Sequence, residues 1–354
     1  MLFLSEQEKR EWTNYGEEIS RTFPAPGHYD TKIRKNLVAA FHFYIATLLA
    51  AKGSGKQSIG WLESGTLNEE DGLFCCAFLL GFFQRHENQL ITPAVVFQDP
   101  RPFIHFAGVP IMKKARWQFV RQCSHSLPVF KRPIRFMDIG CGDGALTVAV
   151  LTHLTETDKI PGIDEILLVD SSPAMAALAE KTVRSAFPDA EISVENGRIQ
   201  DCSGKIDRKF EIAMSSLAYH HMPLEDKRVH LSRLKPWIDH FILFEMDANN
   251  DTPDIFTPDL ALSVYQSYGR IIDFVYSHDA PVGVVNDCID SFLMNEVVSI
   301  LTEPRGVRSD YHMLRGQWHS LLSEVLGPEF SLRCDSAAYA DEYMSLMTLH
   351  YGKA

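Results

Sequence analysis

The chain has 354 residues, of which 45% are hydrophobic and 23% are charged, as expected for a globular protein of one or two domains. Its 46 acidic residues outnumber its 34 basic residues, and the resulting formal net charge of −12 disfavours a nucleic-acid partner. The seven cysteines are scattered without a C-x-x-C pair, which predicts neither a disulfide framework nor a zinc site and is typical of reduced thiols in a cytoplasm.

The N-terminal region, residues 1–130, is predicted to be a mainly helical substrate or cap region. Apolar residues recur at helical spacing in Leu37–Ala51, and a second apolar run covers Leu73–Phe83. Both runs are shorter than the roughly 20 residues that a membrane span needs, so they predict buried helices and no membrane span. The N-terminus becomes charged at once, which is not typical of a signal peptide.

Glycine and proline punctuate the rest of this region. The stretch Lys52–Lys56 lacks the first glycine and the final Ser/Thr of a phosphate-binding loop, so it predicts a turn. Prolines at 100, 102 and 110 predict extended segments before a helix at Met112–Cys123.

The middle of the chain, residues 131–246, alternates strand-like and helical patterns. The strand-like runs are Ile134–Ile139, Glu165–Val169, Ile192–Val194, Phe210–Ser215 and His240–Glu245. Helical patterns at 145–154 and 173–187 separate the first three runs. This alternation predicts an α/β fold with a Rossmann-like, doubly wound, mostly parallel sheet, which binds ligands at the carboxyl ends of its strands.

The C-terminal part of the chain is predicted to consist of two regions, residues 247–324 and residues 325–354. Residues 247–324 begin with an aspartate-rich stretch, Asp247–Asp259, which predicts a linker or alternatively a metal site, and continue with aromatic-rich helical patterns. Residues 325–354 end in two strand-like runs that predict an antiparallel hairpin. The predicted core therefore comprises residues 131–246 and 325–354, with 247–324 as a helical insertion.

The loop Asp138–Gly144 is the most informative motif. It follows a strand and opens a helix, and its glycines permit a tight turn whose N–H groups suit a carboxylate or a phosphate. Asp138 ends the strand before the loop, and Asp170 ends the next strand, where a ribose diol would meet a carboxylate. A dinucleotide-binding loop is the alternative, but its third glycine would fall at position 145, which is Ala, and Asp138 would repel a pyrophosphate.

With these residues the sequence resembles the class I S-adenosylmethionine-dependent methyltransferases. Asp138–Gly144 matches their D/E-x-G-x-G-x-G motif, Leu167–Met175 looks like their second motif, and Phe210–Met222 looks like the fourth strand and loop of the small-molecule branch. The terminal hairpin also matches that fold. The resemblance implies that the cofactor is S-adenosylmethionine and that the insertion 247–324, with the N-terminal helices, forms a lid over the substrate.

The resemblance implies a set of cofactor-binding residues. They are Asp138, Gly140, Cys141, Gly142, Asp170, Ser171, Met175, Arg198, Ile199 and Ser215. Asp138 and the loop would hold the methionine part, Asp170 would accept the ribose hydroxyls, and Ser215 would contact the methionine end. Where the family often has an acid that reaches the adenine amino group, this sequence has Arg198, so the backbone of Ile199 or the side chain of Asp201 is expected to take that role.

Methyl transfer from a sulfonium requires alignment, exclusion of water and, for some acceptors, removal of a proton. The candidate catalytic residues are His220, His221, Glu245 and His312. The two adjacent histidines cannot be distinguished as a base in the sequence, and Glu245 or the nearby Asp247 could instead cap the following turn. His42, within an apolar helix, is interpreted as a core histidine, and no resident metal is expected.

The sequence predicts a cytoplasmic methyltransferase that acts on the O, N or C atom of a small, partly hydrophobic acceptor. Aromatic residues are frequent in the insertion and its flank, which supports an apolar lid. They are Tyr265, Tyr268, Phe274, Tyr276, Tyr311 and Trp318. A homodimer is possible. The alternatives are a protein methyltransferase, an RNA methyltransferase, which the net charge disfavours, and a catalytically silent cofactor-binding partner subunit.

Overall fold

The computed structural model describes residues 1–69, 73–90 and 99–353. Over the chain so described, two compact units are found. The helical unit comprises Met1–Val96, Ala248–Tyr311 and Asp341–Met344, and the sheet unit comprises Phe97–Asp247, His312–Ala340 and Ser345–Ala354. Residues 99–130 and 312–324, which the sequence prediction assigned to the helical regions, therefore belong to the sheet unit. The role of the insertion as a lid stays a prediction.

The sheet of the second unit has seven strands within the described residues. They are β1 (Ile134–Ile139), β2 (Ile163–Asp170), β3 (Glu191–Asn196), β4 (Phe210–Ser216), β5 (Ile238–Met246), β6 (Phe330–Ala340) and β7 (Ser345–Lys353). The strand order is β3-β2-β1-β4-β5-β7-β6, with β1 to β5 parallel and the β6–β7 hairpin antiparallel to β5. The predicted Rossmann-like fold with a terminal hairpin is confirmed.

The helices are numbered in chain order. They are α1 (Glu6–Thr22), α2 (Val38–Ala51), α3 (Gly55–Thr66), α4 (Cys75–Arg85), α5 (Arg101–Gly108), α6 (Pro110–Ser126), α7 (Ala145–Glu156), α8 (Pro173–Ala186), α9 (Ile199–Cys202), α10 (Leu224–Leu234), α11 (Pro258–Tyr276), α12 (Val282–Asn286), α13 (Met294–Thr302) and α14 (Arg315–Leu326). A π-helix (Asp287–Leu293) separates α12 from α13.

The prolines that predict extended segments instead begin two helices. Pro102 lies in the first turn of α5 and Pro110 in the first turn of α6. A proline is tolerated there because the first-turn N–H groups have no intrahelical acceptor. The predicted turn at Lys52–Lys56 is found at residues 52–54, since Gly55 begins α3, and β6 continues to Ala340.

Register in the parallel sheet brings the ends of the central strands together. Ile139 of β1 is paired with Val169 of β2 and with Ser215 of β4. The strands are apolar on both faces and almost wholly buried, as expected of parallel strands covered by helices. At the end of β2, the Ser172 side chain accepts a hydrogen bond from the amide of Met175 and caps α8.

The helical unit is built around α2, which is buried over almost its full length and packs against α3, α4 and α11. His42 is fully buried there, and its Nε2 lies 2.7 Å from Oδ1 of Asp30. Tyr265 and Tyr268 of α11 are buried in the core of this unit, so these two aromatic residues have a packing role. Among the helices that the structure describes, none is both long and apolar enough to cross a membrane.

Candidate active site

A cavity of about 270 Å³ opens in the sheet unit where β1, β2 and β4 end. Nine of the ten predicted cofactor-binding residues line it, together with His221. The lining also includes residues that were not predicted to bind the cofactor: Phe103, Arg116, Asp143, Leu146, Val169, Gly197, Gln200, Ser216, Leu217, Ala218 and Met222. The predicted strand ends therefore meet at one site, as parallel strands require.

The glycines of the loop after β1 are required by its shape. Gly140 and Gly142 have φ angles of +75° and +56°, which side chains other than glycine rarely adopt. A Cβ atom at Gly140 would overlap Cβ of Ala218, and one at Gly142 would lie 2.9 Å from Cζ of Phe103. The loop thus lets its backbone form one wall of the cavity.

The amides of this loop have protein acceptors. The N–H groups of Gly140 and Cys141 donate to the carbonyl of Val169 at 2.8 and 3.1 Å, and that of Gly142 donates to Oδ2 of Asp170 at 2.9 Å. These three amides are therefore not open to a carboxylate or a phosphate in this structure. The loop is instead held against the end of β2.

Asp138 is a buried carboxyl at the end of β1. Thr147 donates a short hydrogen bond to its Oδ2, while Oδ1 has no hydrogen-bond partner within the described part of the chain. Burial raises the pKa of Asp138 to about 7, and Asp170 adds to the rise, against the lowering effects of Thr147 and Arg116. An orphaned carboxylate oxygen that lines a cavity suits a cationic ligand group.

Asp170 ends β2 and is only partly buried. Its Oδ2 accepts from the amide of Gly142, and its Oδ1 accepts from the amide of Ser172 at 2.9 Å. Burial raises the pKa of Asp170, and the two backbone hydrogen bonds and His221 oppose that rise. Each carboxylate oxygen has two lone pairs, so both retain capacity to accept a hydroxyl.

Arg116 and Phe103 enter the cavity from α6 and α5. The guanidinium of Arg116 lies 5.7 Å from the centroid of the Phe103 ring, and its Nε is a buried atom without a hydrogen-bond partner among the residues described. Burial lowers the pKa of Arg116, and Asp143 and Asp138 oppose this effect. Sequence reasoning missed both residues because the segment before β1 carries no motif.

The residues predicted to bind the adenine also line this cavity. Ser171, Met175 and Ile199 line it, and so does the exposed Arg198. Asp201, the alternative adenine partner, is absent from the lining, and its carboxylate lies 3.2 Å from Nε of Arg198.

Ser215 is misassigned in the sequence prediction. It is fully buried and donates to the carbonyl of Ile139 at 3.0 Å. Ser216, the next residue, lines the cavity, and its buried hydroxyl has no partner in the described ranges. The correction follows from strand geometry, because successive side chains of β4 point to opposite faces.

The two adjacent histidines, His220 and His221, have different surroundings in the sheet unit. Tyr219–His221 form one turn of 3₁₀ helix, in which neighbouring side chains point in different directions. His221 is exposed and lines the cavity, whereas His220 is buried and absent from the lining. The imidazole rings of His220 and His221 have centroids 4.2 Å apart.

His220 is paired with Glu245 at the end of β5. Nδ1 of His220 lies 2.8 Å from Oε2 of Glu245, and Oε1 of Glu245 accepts from the amides of Ala218 and Tyr219. Burial alone would raise the pKa of Glu245, but His220 and Lys227 outweigh it and hold that pKa below its ordinary value. The carboxylate can only accept in this contact, so Nδ1 is the nitrogen of His220 that donates to it. Glu245 caps the 3₁₀ turn as well.

His312 completes this buried cluster. Its ring stacks on that of His220 with centroids 4.1 Å apart, and one ligand atom each of His220, Glu245 and His312 lies within 4.8 Å of the others. Burial, with His220 and Lys227 nearby, lowers the pKa of His312 far below its ordinary value. Two histidines and a carboxylate can bind a divalent metal, but the fully buried Lys227 already supplies a positive charge here. Asp247, the other acid near the end of β5, accepts from the amide of Arg315 and caps α14.

Comparisons with known proteins place this site in context. Residues 136–238 match the model of a protein family described as "Methyltransferase domain". No curated protein matches the sequence. The structure is similar to that of SCL7 in Oryza sativa, with a TM-score of 0.61, 13% sequence identity and coverage of 87% of this chain and 99% of that chain, a likeness of fold alone.

Two methyltransferase structures have lower similarity. One is magnesium protoporphyrin IX methyltransferase from Synechocystis PCC 6803 with bound SAM, at a TM-score of 0.39 and 12% identity over 74% of this chain and 100% of that chain. The other is the plantazolicin methyltransferase BpumL in complex with SAH, at a TM-score of 0.43 and 12% identity over 78% of this chain and 95% of that chain.

Proposed function

We propose that this chain, whose residues 136–238 form a class I S-adenosylmethionine-dependent methyltransferase domain, methylates a small organic acceptor whose proton is removed by His220. The observation that carries the proposal is the convergence of Asp138, Asp170 and the glycine loop on one cavity of that domain. The net charge of −12 supports a small acceptor over RNA. The proposal leaves O, N or C as the acceptor atom.

The residues of the cavity fit the cofactor. Its methionine part carries an ammonium group, which suits the orphaned Oδ1 of Asp138, and its ribose carries a diol, which suits Asp170. Ser171, Met175 and Ile199 are proposed to line the adenine. When bound, the cofactor supplies a methyl group on a sulfonium, an electrophile with a very good leaving group.

The chain's own residues are proposed to align the acceptor and to manage its proton. His220 does not itself line the cavity, so this role requires the acceptor to reach its ring past His221, which lines the cavity and whose ring centroid lies 4.2 Å away. Nδ1 of His220 donates to the ionised Glu245, so Nε2 is the basic nitrogen of this tautomer. An acceptor O–H or N–H would give its proton to Nε2, while the methyl group that it gains would be lost by the cofactor's sulfonium, which leaves as the thioether S-adenosylhomocysteine. Glu245 would then stabilise the resulting imidazolium, and the buried surroundings would exclude water.

A methyl-transfer screen tests this function. The full-length protein is incubated with S-adenosylmethionine and extracted small metabolites, total polypeptides or RNA, and each pool is examined for the mass gain of a methyl substitution. We expect the gain in the small-molecule pool. A gain in polypeptides alone contradicts the small-molecule acceptor, and cofactor binding without any product supports the silent partner subunit instead.

The affinity for the cofactor product S-adenosylhomocysteine is expected to rise with pH and to level off above about pH 7. Asp138 has a pKa of about 7 in the free protein, and binding an ammonium group favours its ionised form, so binding releases a proton at lower pH. Below this pH the affinity should fall by up to about tenfold per pH unit. Calorimetric titration from pH 5.5 to 8.5 measures it.

Asp138→Asn is the matched variant for that titration. It should bind more weakly above pH 7 and lose most of the pH dependence. The variant should also have a higher Tm than wild type at pH 8. Folding raises the pKa of the Asp138 carboxyl from 3.8 to about 7, so the wild-type protein loses stability as the pH rises through that window, and Asn removes this loss. An unchanged pH profile in this variant would assign the titration to another group, such as Asp170.

A further inference from the structure

We propose that Arg116 binds the carboxylate of the cofactor's methionine part and makes the site selective for cofactors that carry this carboxylate. The inference rests on the proposed function in one respect, namely that this cavity holds S-adenosylmethionine. It adds a specificity-determining residue from α6, outside the loop motif and outside the matched residues 136–238.

Three amides of the glycine loop already have acceptors within the protein. In a glycine loop that opens a helix, backbone N–H groups are the usual donors for an anionic ligand group. Here the amides of Gly140 and Cys141 donate to the carbonyl of Val169, and the amide of Gly142 donates to Asp170. A carboxylate at this wall therefore needs a donor other than these three amides.

The side chain of Arg116 offers a buried donor at this cavity. Its side chain lines the same cavity as the loop, and its buried Nε lacks a hydrogen-bond partner in the described structure. Arg116 is not matched by an ion pair within salt-bridge distance among the described residues, although Asp143 and Asp138 are near enough to stabilise its charge. A buried donor without an acceptor is costly, and a ligand carboxylate would remove that cost.

The charges of Asp138 and Arg116 also complement those of the cofactor. The amino acid end of the cofactor is a zwitterion, with an ammonium and a carboxylate on the same carbon. Asp138 and Arg116, of opposite charge and both on the cavity wall, offer one partner to each group. The planar guanidinium also suits bidentate hydrogen bonding to a carboxylate, and its stacking on Phe103 limits its freedom.

A different role for Arg116 would be to keep Asp138 ionised, since Arg116 lowers the pKa of Asp138. The two roles predict different selectivity. A residue that acts through Asp138 affects every ligand with an ammonium group, whereas a carboxylate-binding residue affects only ligands with a carboxylate.

Calorimetric titration of Arg116→Met with three ligands tests the inference. S-adenosylhomocysteine has both charged groups, its decarboxylated analogue has the ammonium alone, and 5′-methylthioadenosine has neither. We expect wild type to favour S-adenosylhomocysteine over the analogue by about 30-fold, and the variant to lose that preference while it binds methylthioadenosine within about twofold of wild type. Arg121→Met is the control, because Arg121 is exposed on the same helix and does not line this cavity.

Two results would overturn the inference: wild-type affinity for S-adenosylhomocysteine in Arg116→Met, or an equal loss of affinity for S-adenosylhomocysteine and for its decarboxylated analogue. If Arg116→Met does not fold, Arg116→Lys takes its place. We expect this variant to lose part of the selectivity, and an unchanged selectivity would contradict the inference. Failure of the wild-type protein to bind S-adenosylhomocysteine would contradict the proposed function itself, which separates the two failures.

Discussion

Asp170→Ala is expected to weaken binding of S-adenosylhomocysteine by about 100- to 1,000-fold. The carboxylate of Asp170 is proposed to accept both ribose hydroxyls, and it also accepts the amides of Gly142 and Ser172. The alanine variant loses the ligand contacts and leaves the amide of Gly142 without its acceptor, so the loop that forms the cavity wall loses a support. Calorimetry at pH 8 measures the loss.

Asp164→Ala is the control for this prediction, since Asp164 lies on the same strand, β2, but is exposed and far from its carboxyl end. It should bind as wild type does. Analogues that lack the ribose hydroxyls separate the two effects of the Asp170 change. Wild type should lose affinity when the hydroxyls are removed, and Asp170→Ala should not. Wild-type affinity in Asp170→Ala would refute the assignment of the ribose site.

Glu245→Gln is expected to lower kcat by about 100-fold or more, with the affinity for S-adenosylhomocysteine within about threefold of wild type. Gln retains a carbonyl oxygen for the amides of Ala218 and Tyr219. Its amide group, however, is a donor that would face Nδ1 of His220 and favour the wrong tautomer. Alanine is avoided here, because removing one member of a buried charged cluster costs about 3–5 kcal/mol of stability.

The pair is tested further by His220→Ala and by the double variant. If His220 and Glu245 act as one unit, the double variant should be no slower than the slower single variant. His221→Asn serves as the comparison, because His221 lines the cavity, whereas His220 is the histidine whose Nδ1 lies 2.8 Å from Oε2 of Glu245. A large loss of kcat in His221→Asn with little loss in His220→Ala would make His221 the base. The Tm of each variant shows whether the buried Lys227 tolerates the change.

Much of the fold could be predicted because it depends on local patterns. The run Ile134–Ile139 is apolar, β-rich and followed by glycines, and the strand has these same bounds in the structure. Ser172 and Pro173 indicated the start of α8 by capping and by proline preference. The prediction was wrong at Pro102 and Pro110, because a proline is compatible with both an extended segment and the first turn of a helix.

The roles of the individual site residues depended on contacts that are distant in sequence. Arg116 reaches the cavity only because α6 packs beside the sheet, and no pattern in its own segment indicates this. The choice between His220 and His221 required the position of Glu245, 25 residues beyond His220. Whether Ser215 or Ser216 faces the cavity required the register of β4 on β1.

The sequence by itself determined the sheet, the glycine loop and the acidic residues at two strand ends. These features depend on residues that are close in sequence, and the parallel topology then places the carboxyl ends of the strands at the same edge of the sheet. The tertiary structure alone decided how the charges are used: that the loop amides are satisfied by β2, that Asp138 and Arg116 share one cavity wall, and that His220 faces Glu245. Hydrogen-bond saturation and desolvation depend on every neighbour in space, and one stretch of sequence does not contain those neighbours.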